Sequence, residues 1–281
     1  MKLWFGGKSR VASLVWDRFG DVPNYVEPFF GSGAVLLGRP HAPGTETVND
    51  LDGYVCNFWR SIRFSSEQTA EAADWPVNEC DLHARHVWLR ERREMVSRQL
   101  EADPEWHDPQ IAGWWVWGIS CWIGGGFCGD SGAGPWSVVE ENGTRQLVRG
   151  LGQGVTRRRV HLGNAGRGVQ RRRPHLSRAG MGVHHQHKNL RVWFAQLSRR
   201  LRHVRVSCGE WHRILGPSPT TAGNGLTGVF LDPPYGDDAQ RNMALYAQDS
   251  GTLSRDVAQW ARAHGDDPLM RIALCGYEGE H

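Results

Sequence analysis

Val229-Phe230-Leu231-Asp232-Pro233-Pro234-Tyr235 is an apolar run that stops abruptly at an acid, two prolines and an aromatic. The run reads as a buried strand. Two consecutive prolines have no N–H to donate, so the sheet ladder must end there. The strand's C-terminal edge then presents a carboxylate, a free backbone carbonyl and a flat ring. In open α/β sheets this edge is where ligands bind. Carboxylate and carbonyl can each accept one hydrogen of an exocyclic amino group, while the ring of Tyr235 stacks on the heterocycle that carries it.

Working outward, Tyr25-Val26-Glu27 reads as a short strand that runs into Pro28-Phe29-Phe30-Gly31-Ser32-Gly33, with a helix starting near Ala34. Thr45 to Asn49 is a second strand ending at Asp50, and Tyr54 to Arg63 a second helix. Upstream, Val11, Leu14, Val15 and Phe19 have the spacing of an amphipathic helix over Ser9 to Phe19. Strand, loop, helix, strand, helix in this order predicts parallel strands in a doubly wound sheet. From about Ser65 the pattern is helix alone. A charged helix is expected over Asp81 to Glu101, with the stripe Leu82, Leu89, Val96 and Leu100. Asp108-Pro109 is a cap and first-turn pair for a Trp-rich helix. Trp114, Trp115, Trp117 and Trp122 have a helical spacing that favours core packing over base stacking.

The stretch from Gly124 to Gly182 is loop-like, with weak strand candidates at Trp136 to Val139 and Gln146 to Val148. Regular patterning returns with a helix over Asn189 to Arg202, a strand over Val204 to Cys208, and the strand that carries Asp232. A helix over Leu253 to His264 and a strand over Met270 to Leu274 follow, so five sheet strands are expected.

At 281 residues the chain can bury a full core. No stretch reaches the roughly 18 uninterrupted apolar residues of a membrane span, the nearest, Ile111 to Gly126, being shorter and Trp- and Gly-rich, and the N-terminus lacks the apolar core of a secretion signal. Six scattered cysteines without a CxxC pair suit a reducing cytoplasm. Charge is distributed very unevenly. Between Asn142 and Gly209 there is no Asp or Glu, against sixteen Lys or Arg, although the whole chain nets only +3. A GC-rich coding bias accounts for thirty arginines beside three lysines, but not for an acid-free run of that length. One basic segment in an otherwise acidic protein is the footprint of a polyanion partner. Arg157, Arg158, Arg159, Arg171, Arg172 and Arg173 are the foremost candidates for phosphate contact. His175, His184, His185 and His187 lack a recognisable zinc spacing. They read as part of a nucleic-acid-facing loop, and no metal is expected.

Gly31-Ser32-Gly33 falls short of the dinucleotide fingerprint at the third glycine, where Leu36 stands. Two glycines suit a ligand that approaches the backbone without a pyrophosphate, and S-adenosylmethionine is such a ligand. Asp50, nineteen residues beyond Gly31, is placed to accept its ribose hydroxyls.

Three segments resemble the Dam-type adenine-specific DNA methyltransferases. Trp4-Phe5-Gly6-Gly7-Lys8 is similar to the family's W-x-G-G-K, Glu27 to Gly33 to its E-P-F-x-G-x-G, and Asp232 to Tyr235 to its D-P-P-Y. The resemblance implies a Rossmann-like α/β sheet that binds S-adenosylmethionine, formed by residues 1–65 and 190–281. It also implies a helical and loop target-recognition insertion over 66–189. By motif position, Trp4, Lys8, Glu27, Phe29, Gly31, Gly33, Asp50 and Asp232 contact the cofactor. Asp232, Pro233, Pro234 and Tyr235 form the catalytic segment. Cys208-Gly209-Glu210-Trp211 is similar to the place where the family contacts the cofactor's adenine, although Glu210 also reads as a plain surface acid. The implied partners are double-stranded DNA and a cognate restriction endonuclease, with the chain acting as a monomer away from membranes. Methylation of the cytosine amino group uses nearly the same pocket and stays open. So does a DNA-binding protein that keeps the fold without the activity.

Overall fold

The computed structural model describes residues 11–122, 127–128, 136–141, 144–149, 183–233 and 253–276. Its centre is a five-stranded sheet: β1 (Asn24–Glu27), β2 (Thr45–Asp50), β5 (Val204–Cys208), β6 (Thr227–Leu231) and β7 (Met270–Leu274). All four pairings are parallel, in the order β5-β2-β1-β6-β7. Chain order runs outward from β1 to β2 and β5, then resumes on the other side of β1 with β6 and β7. The direction of winding therefore reverses between β1 and β6. At such a reversal, the loops leaving the two strands diverge and open a crevice at their C-terminal ends.

Period-2 alternation divides the sheet between two cores. Tyr25, Val48 and Phe230 face a large cluster with α1 (Ala12–Phe19), α3 (Gly53–Ala73), α6 (Pro109–Cys121) and α7 (Val183–Arg200). Val26, Val229 and Leu231 face a smaller one with α8 (Leu253–Ala263) and the short 3-10 turn Trp211–Ile214. Helices on both faces make the sheet doubly wound, as the strand and helix order predicts.

Several elements differ from the sequence reading. The helix expected over Tyr54 to Arg63 continues to Ala73, kinked at Ser65 (φ −141°, ψ 47°). The single helix expected over Asp81 to Glu101 is two, α4 (Glu79–Arg90) and α5 (Arg93–Ala102). Leu82, Leu89, Val96 and Leu100 are all buried. The break at Glu91 and Arg92 lets α4 pack on α6 while α5 packs on α3. The helix expected from Asn189 starts at Val183, so His184, His185 and His187 lie in α7 rather than in a loop. The two weak strand candidates pair as the antiparallel hairpin of β3 (Trp136–Glu141) and β4 (Thr144–Arg149).

Asp108 caps α6 by accepting the Ile111 N–H at 2.9 Å, with Pro109 in the first turn. Trp115, Trp117 and Trp122 are buried, and half-buried Trp114 packs against the same core. The Arg85 guanidinium lies 4.7, 4.7 and 4.5 Å from the ring centroids of Trp75, Trp114 and Trp117. These tryptophans are therefore occupied with packing and cation–π contact. Among the described residues no helix is long and apolar enough to cross a membrane.

A buried ion triad locks α7 to the sheet. Glu46 of β2, fully buried, accepts Arg200 Nη1 at 2.6 Å and Nη2 at 2.8 Å. It also accepts Arg39 Nη1 at 3.2 Å, and Arg39 lies over the Trp16 ring.

Candidate active site

Three carboxyl groups stand at the ends of three adjacent strands: Glu27 at the end of β1, Asp50 at the end of β2 and Asp232 just past β6. All three sit at the edge where the winding reverses. Pro233, buried behind Asp232, ends the ladder as its missing N–H requires.

Glu27 is 2% exposed. Tyr25, two residues earlier on the same face, donates its hydroxyl to Glu27 Oε2 at 2.8 Å. The backbone N–H of Leu36 favours the charged form of the Glu27 carboxyl. Leu36 lies in the first turn of α2 (Ala34–Leu37), whose cap residue Gly33 has no side chain to offer. Burial pushes the Glu27 carboxyl well above the usual carboxylate range. The charges of Asp232 and Asp50 push the same way, against the pull of the Tyr25 bond and the Leu36 N–H.

Asp50 organises the loop after β1. Its Oδ2 accepts the Gly31 N–H at 2.8 Å, and its Oδ1 accepts the Asp52 N–H at 2.9 Å. Burial raises its pKa to about 7, opposed by those two bonds and reinforced by the charge of Asp52. Gly31 and Gly33 both have left-handed φ, +44° and +63°. A Cβ on Gly33 would also fall 2.7 Å from the Phe30 ring. The glycines are thus required by the turn itself and by Phe30 packing. Trp59 Nε1 donates to Gly31 O at 3.0 Å and closes the loop from α3.

Asn49, 1% exposed, organises this edge, and the sequence offers it only as the residue before Asp50. Its Nδ2 donates to Pro28 O at 3.2 Å and to Gly209 O at 2.8 Å. Its Oδ1 accepts the Ser207 hydroxyl at 2.9 Å, and its carbonyl accepts the Phe30 N–H. One side chain therefore ties the loops after β1 and β5 to β2. A polar residue at the buried end of an apolar strand is the signal that marks it. The Gly209 N–H donates to Asp50 O at 3.0 Å, which sets exposed Glu210 beside this edge. Half-buried Phe29 stacks on Trp211, centroids 6.2 Å apart.

The structure thus brings together Glu27, Phe29, Gly31, Gly33, Asp50, Glu210, Asp232 and Pro233. Trp4, Lys8, Pro234 and Tyr235 lie outside the described residues, as do Arg157, Arg158, Arg159, Arg171, Arg172, Arg173 and His175.

A parallel sheet wound both ways, with a glycine loop after its first strand and acids at its reversal, defines a Rossmann-like fold of the methyltransferase kind. Residues 4–95 match the family model of the D12 class N6 adenine-specific DNA methyltransferases. That match supports assignment of the chain to the adenine methyltransferase family, and with it adenine-specific DNA methylation with a methyl donor of the S-adenosylmethionine type implied by the family. It takes in Glu27 to Gly33 and Asp50 and ends before β6, so Asp232 joins the site through the topology. No curated protein matches the chain in sequence.

Proposed function

We propose that the crevice between β1 and β6 holds S-adenosylmethionine beside an adenine flipped from double-stranded DNA, with Asp232 and the Pro233 carbonyl gripping the target amino group. The observation that carries this reading is the convergence of Glu27, Asp50 and Asp232 on one sheet edge. The donor set fits the cofactor: acids for a cationic ligand, and oxygens of Asp50 with capacity left for ribose hydroxyls. When bound, the cofactor supplies an electrophilic methyl group.

The chain's own residues supply position and electrostatics. The adenine amino group is a poor nucleophile because its lone pair is delocalised into the ring. Two acceptors holding its hydrogens favour a pyramidal nitrogen with the lone pair free to attack. Asp232 also stabilises the positive charge that develops on that nitrogen. The target atom is buried in the duplex, so the base must leave the stack. Stacking on Tyr235, worth about 1–3 kcal/mol per base, offsets part of that cost.

In the same proposal Trp4, Lys8, Phe29 and Glu210 line the cofactor site, and residues 66–189 form the target-recognition insertion. Arg157, Arg158, Arg159, Arg171, Arg172 and Arg173 contact phosphates. Action as a monomer in the cytoplasm, and pairing with a cognate restriction endonuclease, belong to this reading as well.

Incubation with methyl-labelled S-adenosylmethionine and mixed-sequence duplex DNA tests it. Label is expected in adenine. Label in cytosine moves the assignment to the cytosine amino group, and DNA binding without any heat of cofactor binding marks a DNA-binding protein without activity.

A further inference from the structure

Cys208 ends β5, and its register partner Asp50 ends β2. Cys56 stands in the first turn of α3, which packs on both strands. Its Sγ lies 3.4 Å from Asp50 O and 3.4 Å from Ser207 O, so the thiol sits over the seam between the strand ends, next to Cys208. Val204, Val206 and Cys208 alternate along β5 and face the same core that buries Cys56. Two free thiols therefore share one face at one end of the sheet, Cys56 buried and Cys208 half-buried.

Their surroundings differ in a way that assigns roles. The Cys56 thiol lowers the pKa of Cys208, against burial and the charges of Asp50, Asp52 and Glu101. Cys208 and burial push Cys56 the opposite way, so Cys56 keeps its proton. A partly exposed thiol with thiolate character beside a buried one is the arrangement of an attacking and a resolving cysteine.

We infer that Cys56 and Cys208 are a reversible modification site: a hydroperoxide joins them as a disulfide, and the bond loosens the edge that holds the cofactor. The second half rests on the reading that this edge is the cofactor site. The Cys208 thiolate attacks a peroxide oxygen, the O–O bond breaks, hydroxide leaves, and Cys208 becomes a sulfenic acid. The Cys56 sulfur gives up its proton and displaces the hydroxyl, forming the S–S bond with loss of water. The thiols lose two electrons and two protons, and hydrogen peroxide becomes two waters.

The bond acts on the site through Gly209, the residue after Cys208. The Gly209 N–H holds Asp50 O at 3.0 Å, and its carbonyl accepts Asn49 Nδ2 at 2.8 Å. Drawing Cys208 toward α3 pulls on both contacts, and on Glu210 one residue further. Oxidation also takes the Cys56 proton away from the Asp50 and Ser207 carbonyls. In a reducing compartment such a bond is transient, as a sensor requires.

The test treats the full chain with a small excess of hydrogen peroxide, blocks remaining thiols with N-ethylmaleimide, and maps the unreduced digest by mass spectrometry. A Cys56–Cys208 crosslinked peptide is expected, and dithiothreitol should abolish it. Calorimetry should show S-adenosylmethionine affinity reduced by about fivefold or more after oxidation, a usual size for coupling between sites, and restored by the reductant. Cys56→Ala and Cys208→Ser each remove one half of the bond, so either suffices if the other misfolds. Both should lose the crosslink and the response of affinity to peroxide, whereas Cys80→Ser, at an exposed thiol, should keep both. A crosslink elsewhere, or Cys208 oxidised to sulfinic acid with Cys56 still free, would overturn the pairing. A crosslink with unchanged affinity would overturn its effect on the edge. If the reduced protein binds no S-adenosylmethionine, the cofactor-site reading falls, while the mass spectrum still decides the pairing.

Discussion

Asp50 accepts the backbone N–H of Gly31 at 2.8 Å, so the acid at the tip of β2 holds the glycine loop after β1 in place. Burial keeps that carboxyl near pKa 7, against 3.8 for an exposed one. The folded state therefore binds more protons than the unfolded chain between those two values. The contribution is fully present below the unfolded pKa and is lost as pH rises through about 7, with a slope of at most about 1.4 kcal/mol per pH unit. Urea denaturation between pH 4.5 and 8 should show stability falling with pH. Asp50→Asn should flatten that slope and weaken binding of S-adenosylmethionine. An unchanged slope in the variant would place the titration elsewhere.

Glu46 offers a second measurement, independent of the cofactor. It is fully buried and shared between Arg39 and Arg200, which lie far apart in sequence. Removing one partner from a buried ion network leaves charge uncompensated, at a cost of about 3–5 kcal/mol. Glu46→Ala should lower stability by that amount in equilibrium denaturation. A loss below about 1 kcal/mol would mean that the arginines find other acceptors.

Short-range patterns made most of the sheet legible. The Pro-Pro stop after β6 and the Gly-Ser-Gly turn after β1 are written in residues that restrict the backbone locally. The break between α4 and α5 was not legible, because Leu82, Leu89, Val96 and Leu100 keep a helical repeat straight across Arg92. Glu46 reads as a polar interruption of a strand until Arg200, 154 residues later, is seen beside it. Asn49 is hidden for the same reason, since its partners Gly209 and Ser207 lie on β5 and the loop that follows it. Identity at a strand tip could be read from neighbours in sequence, whereas polar contacts across the sheet depend on topology.

The acid-free segment predicts a salt dependence. If six of its arginines reach phosphates, the slope of log affinity against log salt should be about −5. Replacing Arg157, Arg158 and Arg159 together with alanine should make that slope shallower by about 3 and weaken all duplex sequences alike. Binding measured from 50 to 300 mM salt checks both numbers. A slope unchanged by the triple substitution would take these arginines off the DNA.

Asp232 separates chemistry from binding. Its carboxylate and the Pro233 carbonyl are the acceptors proposed for the target amino group, and only the first belongs to a side chain. Asp232→Ala should leave phosphate contacts untouched, so salt-sensitive DNA binding should persist within about twofold. Turnover should fall by about 100-fold to 1,000-fold or more, as when one preorganised electrostatic partner is withdrawn from a reacting centre. Asp232→Asn is the more searching variant. Its amide can accept one hydrogen but carries no negative charge, so it retains part of the orientation and loses the stabilisation of the developing cation. Single-turnover rates should therefore rank wild type, then Asn, then Ala. Equal rates for Asn and wild type would show that orientation suffices and that the charge of Asp232 contributes nothing to the transition state.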